Sequence, residues 1–207
     1  MTAATVTPPP ANSTAPQPKV WTEADLLAFP DDGVRRWIIK GQLREQPSEY
    51  PEVKMTVRNR HHSEIMSWVA AAIAFWIRTQ PKPRGKVYSG EAGVRLPGTE
   101  ATVGVDVAYA PAAVVATQDD DKTTMLAGLP SLIVEILSPS VTLEQLDEKV
   151  DTYLEAGVPT VWVIHPIRRT VTVHRPKHEP ELFNVTHTLP AIPQMPGFTP
   201  AVLELFE

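Results

Sequence analysis

Glu135 sits inside the run Leu132-Ile133-Val134-Glu135-Ile136-Leu137, a single carboxyl among aliphatic side chains. The run is short, partly β-branched and bounded by Pro130 and Pro139, which predicts a buried strand. An ionised carboxylate buried there without a partner costs several kcal/mol, so Glu135 requires a cation beside it or a proton on it. Two readings follow: a structural ion pair with an Arg or Lys from a neighbouring strand, or a site of chemistry. Asp106 and Lys149 bear on the choice. Asp106 lies in the alternating stretch over residues 102–109, with Val103, Val105, Val107 and Tyr109 expected on one face and Asp106 on the other beside Gly104 and Ala108. Lys149 lies on a helix expected from Thr142, its N-cap, to about Ala156, whose buried arc is Leu143, Leu146, Val150, Tyr153 and Leu154. It falls at the edge of that arc, roughly 40° from Tyr153 at helical spacing. Its stem can cover apolar surface while its head reaches toward the sheet; alone it reads first as a snorkelling lysine at a core boundary. Taken together, two carboxylates on adjacent strands offer hard oxygen ligands suited to Mg²⁺ or Mn²⁺. An ammonium beside them can orient a water and stabilise charge on a phosphoryl oxygen.

The elements that must hold these residues are legible in outline. Residues 1–19 carry five prolines and almost no charge, which predicts a disordered Pro-rich tail, with one folded domain over 20–207. Thr22 caps a short helix that stops near Pro30, and two runs around Lys40-Gly41 form a hairpin. Residues 50–60 read as loop. A nearly all-apolar helix over residues 62–79 follows, with Ile65, Val69, Ala72, Ile73 and Trp76 on one side. Two short strands are expected at 86–89 and 93–96, a polar loop at 118–122, and a strand pair at 160–164 and 170–174. The C-terminal segment from Pro196 to Phe206 is expected to dock on the core.

Composition bounds the function. The 207 residues are 43% hydrophobic and 21% charged, as in ordinary globular chains. No apolar run spans a bilayer; residues 69–77 are too few. There is no cysteine, so disulfides and thiolate metal sites are excluded. No basic, apolar leader opens the chain, so a cytoplasmic location is the expectation. A net charge of −5 argues against a broad basic surface for sequence-independent nucleic-acid binding, but not against a small basic groove.

One block is specific. Glu135-Ile136-Leu137-Ser138-Pro139-Ser140, then Lys149-x-x-x-Tyr153-x-x-Ala156-Gly157-Val158-Pro159, then Val161-Trp162-Val163-Ile164-x-Pro166 resembles the Uma family of endonucleases, in the PD-(D/E)XK, or restriction-endonuclease-like, superfamily. The resemblance runs from about Trp21 to Phe206. It includes Trp37-Ile38-Ile39-Lys40-Gly41-Gln42-Leu43, His62-Ser63-Glu64-Ile65, Gly93-Val94-Arg95-Leu96 and Pro196-Gly197-Phe198. It implies an α/β fold, a mixed β-sheet flanked by helices on both sides, and metal-dependent hydrolysis of phosphodiester bonds, with DNA as substrate. Asp106 matches the Asp of the PD motif and Glu135 the second acid. The parent motif places its Lys two residues after the Glu, where this chain has Leu137; Lys149 supplies it from the helix, as is usual in the family. Val105 stands where the family mostly has Pro. Asp106, Glu135 and the Ile136 carbonyl would then hold Mg²⁺ or Mn²⁺, with His62 as phosphate contact, auxiliary base or plain helix-start residue. His61 is expected to be exposed. Glu91 is a possible third acid or a solvated strand-edge Glu, Glu64 a weaker candidate, and Arg95 a phosphate contact or partner of a site acid. Such folds commonly act as homodimers. Two rival readings stand beside the nuclease: a non-catalytic binding or assembly module on the same fold, and a hydrolase of small phosphodiesters.

Overall fold

The structure, a computed structural model, describes residues 19–30, 32–47, 59–119, 124–139 and 141–207. The Pro-rich tail, most of the loop over 50–60, most of the polar loop over 118–122, and Ser140 lie outside the described residues. In chain order the elements are α1 (Glu23–Leu27), β1 (Arg35–Ile39), β2 (Gln42–Gln46), α2 (Arg60–Thr79), β3 (Lys86–Leu96), β4 (Ala101–Ala110) and α3 (Ala112–Val115). There follow β5 (Leu126–Ala127), β6 (Leu132–Ile136), α4 (Leu143–Glu155), β7 (Val161–His165), β8 (Thr170–His174), β9 (Glu181–Asn184) and a 3-10 turn (Val202–Leu205).

Among the described residues the strands form one mixed sheet in the order β2-β1-β4-β6-β7-β8-β9, with β3 on β4 and β5 on β3. The β6·β7 and β3·β5 pairs are parallel and the rest antiparallel. Helices cover both faces. On one, Ile65, Val69, Ile73 and Trp76 of α2 pack with Val134, Ile136, Trp162, Phe198 and Leu205, so the C-terminal segment joins this core. On the other, Leu146, Val150 and Tyr153 of α4 pack with Ile133, Val161, Val163 and Trp37. Strand β6 is thus buried on both faces, which accounts for the aliphatic residues on either side of Glu135.

The site-forming feature is a fork. Strand β3 lines one edge of β4 over its whole length, from Lys86↔Ala110 to Leu96↔Ala101. Two strands share the other edge: β6 pairs with Val107, Ala108 and Tyr109, and β1 reaches Thr102 through Ile38. Residues 103–106 of β4 therefore lie in the opening between β1 and β6.

Several expectations need correction. Strand β3 is one strand, not two; a bulge between Ser89 and Ala92, with Gly90 at φ +85° and Glu91 at φ +60°, joins the halves. The bulge falls opposite Asp106, since Ser89 faces Val107 and Ala92 faces Val105. Bulges sharpen twist, and the expected single valine face of β4 breaks there. Val103 and Val105 join the α4-side core, whereas Val107 and Tyr109 join the α2-side core. Helix α2 begins at Arg60, because Asn59 caps it by accepting from the His62 amide at 3.0 Å. Leu143 was placed in the buried arc of α4 but is 75% exposed, being the first residue of the helix and lying at a cleft wall. Strands β5 and β9 and helix α3 are too short to leave a periodic signal.

Ile73 is fully buried between α2 and the sheet. Ile73→Ala is expected to lower unfolding stability by about 2–5 kcal/mol in urea titration; a loss under about 1 kcal/mol would contradict this packing.

Candidate active site

Asp106, Glu135 and Lys149 meet at the fork. The β4·β6 ladder runs out after Val107↔Val134. Beyond it the Asp106 side chain takes the place of a strand: its Oδ2 accepts from the Ile136 amide at 2.7 Å. The same oxygen accepts from His62 Nε2 at 3.1 Å, so Nε2 carries the proton. His62 is 2% exposed, and among the described residues its buried Nδ1 has no partner. Asp106 is thus pinned from the α2 side by His62 and from the sheet by a backbone amide.

Glu135 is held from the opposite face. Lys149 Nζ donates to its Oε1 at 2.9 Å and Oε2 at 2.8 Å, and Tyr153 donates its hydroxyl to Oε1 at 2.6 Å. Lys149 and Tyr153 are one helical turn apart, so α4 presents both to the same carboxylate. Arg44 of β2 grips Glu148 with contacts of 2.6 and 2.9 Å and fixes α4 against the sheet. Lys149 Nζ also donates to the Gly104 carbonyl at 3.3 Å and lies 5.7 Å from the centre of the Trp37 ring. The lysine head thus points into the fork.

The acids ionise differently. Burial pushes Asp106 up, but the His62 hydrogen bond, the His62 and Lys149 charges and the Ile136 amide outweigh it, and its carboxyl is held below the usual range. Glu135 moves up: burial dominates and the Asp106 charge adds to it, against the opposing pull of Lys149 and Tyr153. Tyr153 is driven well above an ordinary phenol by burial, then by the Glu135 charge. The two acids are thus pushed in opposite directions, Asp106 toward the ionised form and Glu135 away from it.

Asp106, Glu135, Ile136 and Lys149 line a common cavity of about 20 Å³, room for one water or one ion. Two hard carboxylates and a backbone carbonyl suit Mg²⁺ or Mn²⁺, which retain several waters and need few protein ligands. A cation held there would oppose the burial and the Asp106 charge that raise Glu135. Among the described residues no cluster of three or more His, Asp or Glu side chains is arranged to hold a metal, so the fit is to a two-carboxylate site. The cavity shares Leu137, Val141 and Leu146 with a cleft of about 760 Å³, and Arg35, Trp37, Gln46 and Lys149 with another of about 490 Å³.

The remaining candidates lie elsewhere. Arg95 pairs with Glu23 of α1. Glu91 does not itself line the small cavity but contacts Arg35, which does, at 3.3 Å, and lines the adjoining cleft of about 490 Å³. Glu64 lies 3.9 Å from His61, whose side chain is 62% exposed as expected, and both line the cleft of about 760 Å³ rather than the small cavity. Three participants were not singled out from the sequence. Tyr153 stood one turn after Lys149 but read as core; Trp37 and the Gly104 carbonyl carry no local signal and come into place through the fork.

A mixed sheet forked around two carboxylates and a lysine is the architecture of the restriction-endonuclease-like class. Residues 26–204 match the Uma2 family, described as "Putative restriction endonuclease", and the chain belongs to that family. A solved structure described as "a putative nuclease belonging to DUF820", from Anabaena variabilis, superposes with a TM-score of 0.71 at 20% identity, over 89% of this chain and 97% of that one. No curated protein matches. Among the described residues no helix is long and apolar enough to cross a membrane.

The raised Glu135 has a thermodynamic consequence. Its stabilising contribution is complete below its ordinary value of 4.5 and is lost as pH rises through its folded value. Relative to Glu135→Gln, the metal-free wild type should lose stability as pH rises from 4.5 through the raised folded value. Urea midpoints of both proteins across that range check this; a constant or growing wild-type advantage would refute it.

Proposed function

We propose that the chain is a Mg²⁺- or Mn²⁺-dependent endonuclease that hydrolyses phosphodiester bonds of DNA in the cytoplasm. The observation that carries the reading is the convergence of Asp106, Glu135 and the Lys149 ammonium on one small cavity between two open clefts. Family membership supports the nuclease class.

In this reading Asp106 and Glu135, with the Ile136 carbonyl, hold the ion, which when bound neutralises phosphate charge and acidifies water. Asp106 is kept ionised and oriented by the Ile136 amide and His62. His62, almost fully buried against Asp106, acts by positioning that carboxylate. Lys149 has two acceptors in the fork, Glu135 and the Gly104 carbonyl, so its ammonium stays in place when Glu135 is otherwise engaged. There it orients the attacking water and faces the charge that builds on the phosphoryl oxygens. The substrate strand passes from one cleft to the other across the fork. Cutting both strands of a duplex takes two copies of the site.

A second reading, a non-catalytic module or a hydrolase of small phosphodiesters, is favoured by one observation. Arginines that line the two clefts are paired with acids: Arg36 with Asp32 and Glu45, Arg35 with Glu91, and Arg169 with Glu207. Together with the net charge of −5, this leaves little unpaired arginine charge for a duplex in the clefts among the described residues.

Two variants separate the readings. Lys149→Met should lower kcat on plasmid DNA by about 10²–10³ while Mn²⁺ still binds in calorimetric titration. Asp106→Ala should lose both cleavage and Mn²⁺ binding. Full cleavage by either variant would overturn the nuclease assignment, and Mn²⁺ binding unaffected by Asp106→Ala would favour the module.

A further inference from the structure

Between Glu64 and Glu91 the chain has no acidic residue, yet Arg78, Lys82, Arg84 and Lys86 fall within that stretch, in a protein of net charge −5. All four are exposed. Among the described residues none of them is paired with a carboxylate, in contrast to Arg35, Arg36 and Arg169 of the clefts. Part of this charge serves the helix. Arg84 donates to the Gln80 carbonyl at 2.7 Å and to the Arg78 carbonyl at 2.9 Å, which closes the last turn of α2, and a cation suits that end of a helix. Lys82 and Lys86 have no such task, since among the described residues neither ammonium has an acceptor.

Two aromatic rings stand beside these cations. Trp68 is 43% exposed and Phe75 67%. Seven residues apart, they lie on one side of α2, about 10 Å from each other along its axis. The Arg78 guanidinium lies over the Phe75 ring, 6.0 Å from its centre. Single exposed aromatics need no explanation, but two on one stripe that ends in unpaired positive charge form a surface with a chemistry.

We infer that this face of α2, from Trp68 and Phe75 to Arg78, Lys82, Arg84 and Lys86, holds an unpaired stretch of the DNA substrate outside the cleavage site. The cations neutralise backbone phosphates and the rings stack on bases. A duplex offers the rings no free base face, so the aromatics select single strand. Their separation of about 10 Å suits bases three apart at about 3.4 Å per nucleotide. Helix α2 leaves the wall of the 760 Å³ cleft at His61 and Glu64, and Phe75 follows about 16 Å further along. A strand emerging from that cleft meets the rings first and the cations next. Beside the rings stand Ser67 and Ala71, without the long aliphatic side chains that enter a lipid layer. The identity of this ligand rests on the nuclease reading; the test does not, because it reads binding with divalent metal chelated.

Fluorescence anisotropy of a labelled oligothymidylate, titrated with the full chain in EDTA at several salt concentrations, is that test. The wild type should bind the single strand more tightly than a duplex of the same length, with log affinity falling linearly in log salt. Phe75→Ala should lower the affinity about tenfold at unchanged salt slope, and Phe75→Tyr should keep it. Lys82→Ala with Lys86→Ala should reduce the slope by about 1.4, two phosphates at about 0.7 each. These side chains are exposed, so the fold survives in every variant. No binding, binding indifferent to both sets of variants, equal affinity for the duplex, or preference for phosphatidylserine vesicles over the oligonucleotide overturns the inference. A wild type that shows the expected binding but never cleaves DNA with Mn²⁺ sinks the nuclease reading and leaves the surface standing. Cleavage by Phe75→Ala with KM and binding unchanged sinks the surface alone.

Discussion

The hydrogen bond from the Ile136 amide to the Asp106 carboxylate, at 2.7 Å, is the contact on which the architecture turns. It marks the point where β6 leaves β4 and a side chain replaces a strand as the acceptor. A buried amide without an acceptor costs about 1–3 kcal/mol, so the sheet can open here because Asp106 is present. The opening admits Lys149 to the Gly104 carbonyl and to Glu135. One residue therefore both ends the ladder and supplies half of the acidic pair.

The two acids are supported from opposite faces. Helix α2 brings His62 to Asp106, and α4 brings Lys149 and Tyr153 to Glu135. Each helix is anchored by its own core, so the distance between the acids is set by packing on both sides of β6. Burial and mutual repulsion leave Glu135 reluctant to ionise while Asp106 is charged. A site with that imbalance is matched to a cation.

Much of this was legible in the sequence. A carboxylate inside an aliphatic run could not be an ordinary core residue, and Glu135 proved to be gripped by Lys149 and Tyr153. The phase of Lys149 on its helix allowed its head to reach toward the sheet, where it contacts Glu135. What the chain order concealed was the fork. Strand periodicity says which residues share a face, but not that two strands divide one edge of β4. Hence Trp37, from a hairpin far away in the chain, was not expected near Lys149. The bulge at Gly90 and Glu91 was read as a break between two strands, because one extra residue and a polar, glycine-containing stretch look alike without a partner strand. Arg95 had the chemistry of a phosphate contact, but Glu23 of α1 claims it.

The most direct test of the central claim is anomalous diffraction from crystals soaked in Mn²⁺. The account predicts a manganese peak in the fork, flanked by the Asp106 and Glu135 carboxylates, with Lys149 still within the fork. Peaks confined to other surfaces, or a fork that stays without manganese at saturating concentration, would contradict it.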